Sequence, residues 1–218
     1  TVGYDAGGTS NYSWYRVGGM TFQPAELAKI SFVLTLALHL NHVRGRVNKP
    51  ANLLALAVHV LLPVLAIHIQ GDDGTALVFL GIGLVMVFAG GISGWLVAGG
   101  LAAAGGGAAM AIGTGGLTGT GLWGEHVFVP NSWNDFIFSY LANAMGFVGA
   151  VTVLLLLLGI SVRILLAALQ STDALGRYLC VGIFAALFWQ CIINLGMNLQ
   201  VLPVIGVTLP FFSAGGSS

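Results

Sequence analysis

VLPVIGVTLPFFSAGGSS, residues Val201–Ser218, decides how this chain is read. Two prolines, Pro203 and Pro210, interrupt it and a Gly-Gly-Ser-Ser run closes it, so it cannot prolong the apolar stretch Tyr178–Leu199 as a membrane helix. It is nevertheless too apolar for a solvated tail. Backbone of this kind is tolerated at membrane depth only where it is buried in protein or lines a cavity, because its N–H and C=O groups need partners. The segment is therefore expected to be re-entrant or surface-lying backbone packed against helices, at or beside a site.

The rest of the composition agrees with a membrane setting. Of 218 residues 57% are hydrophobic and 6% charged, against about 25% charged in a soluble domain. Mean hydropathy is +0.94. A membrane helix needs about 20 apolar residues, and six stretches qualify: Glu26–His42, Ala51–Ile69, Thr75–Ile92, Gly94–Ile112, Tyr140–Val162 and Tyr178–Leu199. The fold class expected is all-α, a polytopic integral membrane protein with about six spans and re-entrant outer loops, forming a single domain over residues 1–218. Gly94–Ile112 is the weakest span, built almost wholly of Ala and Gly; it reads either as a tightly packed helix or as a partly re-entrant segment. Arg44, Arg46 and Lys49 in one link, and Arg163 and Arg177 flanking another, put those links on the cytoplasmic side. The acids Asp5, Asp72, Asp73, Glu125 and Asp135 then face outward with one basic residue, Arg16. Net charge is zero and no basic cluster interleaves with aromatics, so a nucleic-acid partner is not expected. Cys180 and Cys191 lie eleven positions apart on one expected helix, roughly 16 Å along its axis, too far to pair with each other. They read as small buried hydrophobes.

Few residues are left to carry chemistry. Asp135 follows a polar loop and immediately precedes an apolar helix, so its carboxylate suits either a helix cap or a general base sheltered at the outer boundary. Glu26 and Lys29 stand one turn apart at the start of the first helix, behind Pro24. An ordinary ion pair and a site-shaping pair are both open there, since ionisable groups entering the membrane boundary are costly. In QGDDGT, Gln70–Thr75, the adjacent Asp72 and Asp73 form a turn that caps the next helix, or contribute oxygen ligands to a divalent cation. The histidines make no metal pattern: His39 and His42 read as partners for carbonyls or headgroups, His59 and His68 as solitary. Trp14, Trp95, Trp123 and Trp133 suit interfacial anchoring.

Three blocks also occur in a familiar order. NLGMN at Asn194–Asn198 followed by LP-x-x-G-x-x-LPF-x-S-x-GGSS, FQPAELAK at Phe22–Lys29, and NDFIF at Asn134–Phe138 together resemble the signature of the SEDS family, bacterial cell-wall polymerases that include RodA and FtsW. QGDDGT resembles the family's QPDLGT. The resemblance leans toward RodA over FtsW. It implies about ten helices for a whole member, so the chain, which begins without Met in a polar segment, reads as a fragment lacking roughly the first three and the last. Departures stand at Asn143 and Ala144, where the family usually carries two glutamates, at Ile205 and Ala214 in the final block, and in an abbreviated outer loop.

The resemblance implies a peptidoglycan glycosyltransferase that polymerises lipid II at the outer face of the bacterial cytoplasmic membrane, in elongation or division. Asp135 would be the catalytic residue. Trp14, Arg16, Gln23, Glu26, Lys29, Asp72, Thr75, Asn194, Ser213 and Ser217 would bind substrate or shape the cavity. No resident metal or other cofactor is called for, although a diphosphate leaving group suits a divalent cation such as Mg or Mn. The implied partners are a class B penicillin-binding protein, lipid II and membrane lipids. Two rival readings are a lipid II flippase, which would place its ionisable groups near the midplane, and a non-catalytic scaffold for the transpeptidase.

Overall fold

The computed structural model describes residues 15–17, 20–92, 137–199, 201–202 and 205–212. A short antiparallel hairpin, β1 (Tyr15–Val17) and β2 (Met20–Phe22), leads into five helices: α1 (Pro24–His42), α2 (Pro50–Ile69), α3 (Asp73–Ala89), α4 (Ile137–Gln170) and α5 (Ala174–Asn198). The hairpin was not expected, though Gly18-Gly19 between residues paired as Val17 and Met20 is a favoured two-residue hairpin sequence. The helices coincide with five of the six expected spans; Gly94–Ile112 lies outside the described residues. Among the described helices α2, α4 and α5 are long and apolar enough to cross a membrane, while α3 is apolar but shorter at 17 residues.

Local chemistry sets the helix starts. Pro24 and Pro50 occupy first-turn positions of α1 and α2, where a missing N–H costs nothing. Asp72 and Asp173 cap α3 and α5 by accepting from the N–H groups of Thr75 and Gly176, each cap contributing about 1 kcal/mol. Helix α4 runs well past the expected end at Val162 and contains a break at Gly146, with φ 68° and ψ −170°. That left-handed φ is accessible to glycine at little cost, and the break turns the first turns of α4 relative to its long second part.

Helices α3 and α5 form the centre, with α1 and α2 against α3 and with α1 and α4 against α5. Phe79, Ile82, Met86, Ile193 and Met197 are almost completely buried along this seam. Small residues permit the close approach: a Cβ at Gly81 would strike the Trp189 ring and one at Gly182 would strike Val33 and Met86. On the outside Leu54, Leu62, Leu155, Leu158 and many other large apolar side chains are exposed, as a lipid-facing surface requires.

One end of the bundle collects the start of α1, the end of α2, the starts of α3 and α4, and the end of α5. The segment 205–212 lies across it without helical structure. Val207 and Leu209 are buried there, and the Ile205 N–H donates to the Met197 sulfur at 3.2 Å. The described part of the closing stretch is thus non-helical backbone packed against helices, as expected. The basic links occupy the opposite end, where the Asn48 amide donates to the Gly91 carbonyl.

Gly74, in the first turn of α3, is where this segment touches the bundle most closely. A Cβ there would fall on the Ile205 carbonyl oxygen and against Val207. Gly74→Ala is expected to cost about 1–3 kcal/mol through overpacking, read as a lower thermal midpoint in detergent. An unchanged midpoint would mean that the segment does not rest on α3.

Candidate functional site

Strand β2 delivers the chain directly into Gln23, which is extended (φ −104°, ψ 111°) before α1 begins. Its side chain turns to α3. The amide N–H groups donate to Asp72 Oδ2 at 2.8 Å and to Thr75 Oγ1 at 3.4 Å, while the other oxygen of Asp72 accepts from the Thr75 backbone N–H at 3.0 Å. Asp72 thus caps α3 and also fixes the start of α1 against it. Both Gln23 and Asp72 are buried, at 7% and 4% exposure, and each makes the hydrogen bonds that burial demands.

One turn further along α1, Lys29 Nζ donates to both carboxylate oxygens of Glu26 at 2.9 Å. The Lys29 side chain is 7% exposed and that of Glu26 23%. The pair is more sheltered than a solvated surface pair, with the Lys29 side chain buried and the Glu26 carboxylate half-buried, and the two charges neutralise each other in a fixed geometry. Among the described residues the third N–H of the ammonium has no hydrogen-bond partner.

Gln23, Glu26, Lys29 and Thr75 line a small polar recess of about 10 Å³, together with Val78, Gln190, Val207 and Thr208, while Asp72 stands behind it on Gln23. Gln190 and Thr208 were not singled out in the sequence. Gln190 carried a signal, since a glutamine inside an apolar span is costly and it lies one turn from Asn194 on the same face of α5.

Asn194 does not line the recess but holds it together. Completely buried, it donates to the Val207 carbonyl at 2.7 Å and accepts from the Asn198 amide at 3.0 Å. Asn198 in turn accepts from the backbone N–H and the hydroxyl of Ser139, at 3.0 and 2.7 Å. This chain of bonds ties the re-entrant segment to α5 and α5 to the start of α4. Of the remaining site residues, Arg16 sits in β1 opposite Thr21; Trp14, Asp135, Ser213 and Ser217 lie outside the described residues.

The adjacent acids do not converge. Asp72 faces Gln23 and Thr75, whereas Asp73 pairs with His68 on the exposed surface. That divergence does not fit a resident divalent cation between them, and no cluster of three or more His, Cys, Asp or Glu side chains occurs among the described residues. The histidine readings need correction as well. His39 and His59 are hydrogen-bonded, Nδ1 to Nδ1 at 3.0 Å, with Thr35 on His59 Nε2 at 3.2 Å, and His68 meets Asp73. Spacing within one helix does not reveal partners that antiparallel packing of α1 on α2 brings together.

The fold and this end of the bundle define a polytopic membrane protein with a polar recess closed by non-helical backbone. The profile of the FtsW, RodA and SpoVE cell cycle proteins matches residues 2–110 and 106–218, and the chain belongs to that family. It is 31% identical to a probable peptidoglycan glycosyltransferase FtsW of Geobacter sp. (strain M18), covering 100% of this chain and 69% of the relative. It is also 31% identical to the peptidoglycan glycosyltransferase MrdB of Escherichia coli K12, covering 94% of this chain and 66% of the relative. The structure of Thermus thermophilus rod shape determining protein RodA superposes with a TM-score of 0.75 at 32% identity, covering 99% of this chain and 66% of RodA. A chain of a peptidoglycan synthase complex that coordinates polymerization and crosslinking gives a TM-score of 0.75 at 28% identity, covering 99% of this chain and 70% of its own. The chain thus spans about two thirds of the length of these relatives. Identity does not separate the branches, being 31% to both FtsW and MrdB.

Proposed function

We propose that the protein is a peptidoglycan glycosyltransferase that polymerises lipid II at the outer face of the bacterial inner membrane. The observation that carries this reading is the recess itself: a half-buried ion pair, an Asp72-held glutamine and non-helical backbone gathered at one end of the bundle, opposite the basic links. In the reaction, Asp135 takes the proton of an acceptor-sugar hydroxyl as that oxygen attacks the anomeric carbon of the donor. The new glycosidic bond forms as the bond to the lipid diphosphate breaks, and inversion leaves a β-linked strand. Arg16 supplies positive charge toward the departing diphosphate. Glu26, Lys29, Gln23, Asp72 and Thr75 form the wall against which the sugars are oriented, Asn194 braces that wall, and Trp14, Ser213 and Ser217 complete the substrate surface. The partner is a class B penicillin-binding protein, a reading supported by the structural likeness to a peptidoglycan synthase complex.

The placement of charge favours a polymerase over a flippase. Among the described residues the Asp, Glu, Lys and Arg side chains gather toward the two ends of the bundle, whereas an alternating-access carrier keeps its site near the midplane. The test is glycan formation from lipid II by the chain carrying its family's full helix set, purified with its transpeptidase. Polymer resolved on a gel supports the reading; lipid II binding with no polymer at any partner ratio leaves a scaffold.

A further inference from the structure

The link between α1 and α2 is built more firmly than a connection needs. Val43 and Val47 are buried, at 5% and 4% exposure, and pin it to the bundle. The Arg46 N–H donates to the Val43 carbonyl at 2.9 Å and the Lys49 N–H to the Arg46 carbonyl at 3.2 Å. Gly45 between them takes the left-handed φ of 75° that the turn requires. The Asn52 amide donates to the Arg46 carbonyl at 2.6 Å and the Asn48 amide to the Gly91 carbonyl at 3.3 Å, tying the turn to α2 and to the end of α3.

This fixed turn displays three cations. Arg44, Arg46 and Lys49 are exposed, and their side chains have no hydrogen bond or ion pair among the described residues. The described acid at that end of the bundle, Asp173, is spent capping α5 through the Gly176 N–H. Lys49 stands at the start of α2, the end of a helix that ordinarily attracts an acid, and no side chain caps α2. Like charges gathered without counter-ions repel, so a turn that holds them in place is suited to an anion from outside the chain. The flanking helices identify the source of that anion. Leu38 in α1 and Leu54 and Val58 in α2 are exposed, so apolar, lipid-facing surface adjoins the turn. A phosphate that carries acyl chains satisfies both parts.

We propose that the turn Val43–Lys49 is a binding site for an anionic phospholipid of the leaflet at that end, its phosphate on Arg44, Arg46 and Lys49 and its acyl chains along Leu38, Leu54 and Val58. This assigns the lipid to one turn, beyond the general excess of basic residues on one side of a membrane protein. It concerns the end of the bundle opposite the recess and does not depend on the glycosyltransferase reading.

The test measures binding of phosphatidylglycerol and of phosphatidylcholine to the purified full chain in an uncharged detergent. A basic residue at a membrane surface contributes about fivefold in affinity for anionic lipid, so wild type is expected to prefer phosphatidylglycerol by about a hundredfold. The triple variant Arg44→Gln, Arg46→Gln, Lys49→Gln is expected to bind both lipids alike, with phosphatidylcholine binding and the thermal midpoint unchanged. Arg163→Gln removes an exposed cation toward the same end but outside the turn, and should keep the full preference. A triple variant that still prefers phosphatidylglycerol overturns the site, and so does a loss of about fivefold in Arg163→Gln, which would mean a diffuse surface charge. If the triple variant does not fold, the three single variants decide: each should lose about fivefold, and singles that lose nothing remove the site. Equal binding of the two lipids by wild type also overturns the proposal and leaves the turn to an acidic protein segment.

Discussion

Asp135→Asn is expected to lower kcat for lipid II polymerisation by at least about 10²-fold, the lower bound for loss of a general base, while KM changes little. The substitution keeps the shape and the capping oxygen of the side chain but removes the proton acceptor. A residue acting only in the transition state shows itself in that split, since ground-state binding survives its loss. A pure helix cap would behave differently: asparagine caps about as well as aspartate, so both turnover and stability would stay at the wild-type level. Asp135 stands two residues before α4, whose start is bonded through Ser139, Asn198 and Asn194 to the segment that lines the recess. Asp135→Asn with more than about a tenth of wild-type turnover would move the base role elsewhere.

Much of this arrangement was legible in the chain, and the exceptions have physical causes. Hydropathy alone located the described helices, because a span must bury every backbone polar group and present an apolar exterior. Asp72 was readable as a cap and Glu26 and Lys29 as a pair, because both are short-range features. The break at Gly146 was not. Gly149 follows it one turn later, and glycines are common in membrane helices, so a left-handed φ there has no signature of its own. Gln190 was passed over because its significance depends on what α1, α3 and the re-entrant segment place opposite it. The His39 contact with His59 likewise depends on the crossing of two helices. Long-range neighbours of single polar residues are the part of a membrane fold that periodicity does not encode.

The Glu26–Lys29 pair separates structural from functional roles by a double-mutant cycle. Lys29→Met leaves the Glu26 carboxylate in a recess whose side chain is only 23% exposed, without its counter-charge. Removing one partner of a buried pair costs about 3–5 kcal/mol, and the partial exposure of Glu26 argues for the lower end of that range. A clear drop in the thermal midpoint is expected, together with loss of polymerisation. Glu26→Gln combined with Lys29→Met removes both charges and keeps the volumes close, so stability should return to within about 1 kcal/mol of wild type, as replaced buried pairs often do. Activity should not return with it, because the free ammonium N–H and the carboxylate edge that face the recess are both gone. If the double variant regains stability and turnover together, the pair is a structural strut and the substrate-facing role belongs to Gln23 and Gln190 alone. If it regains neither, the coupling energy is dominated by contacts beyond the pair, and the bidentate geometry at 2.9 Å is not what holds α1 in place.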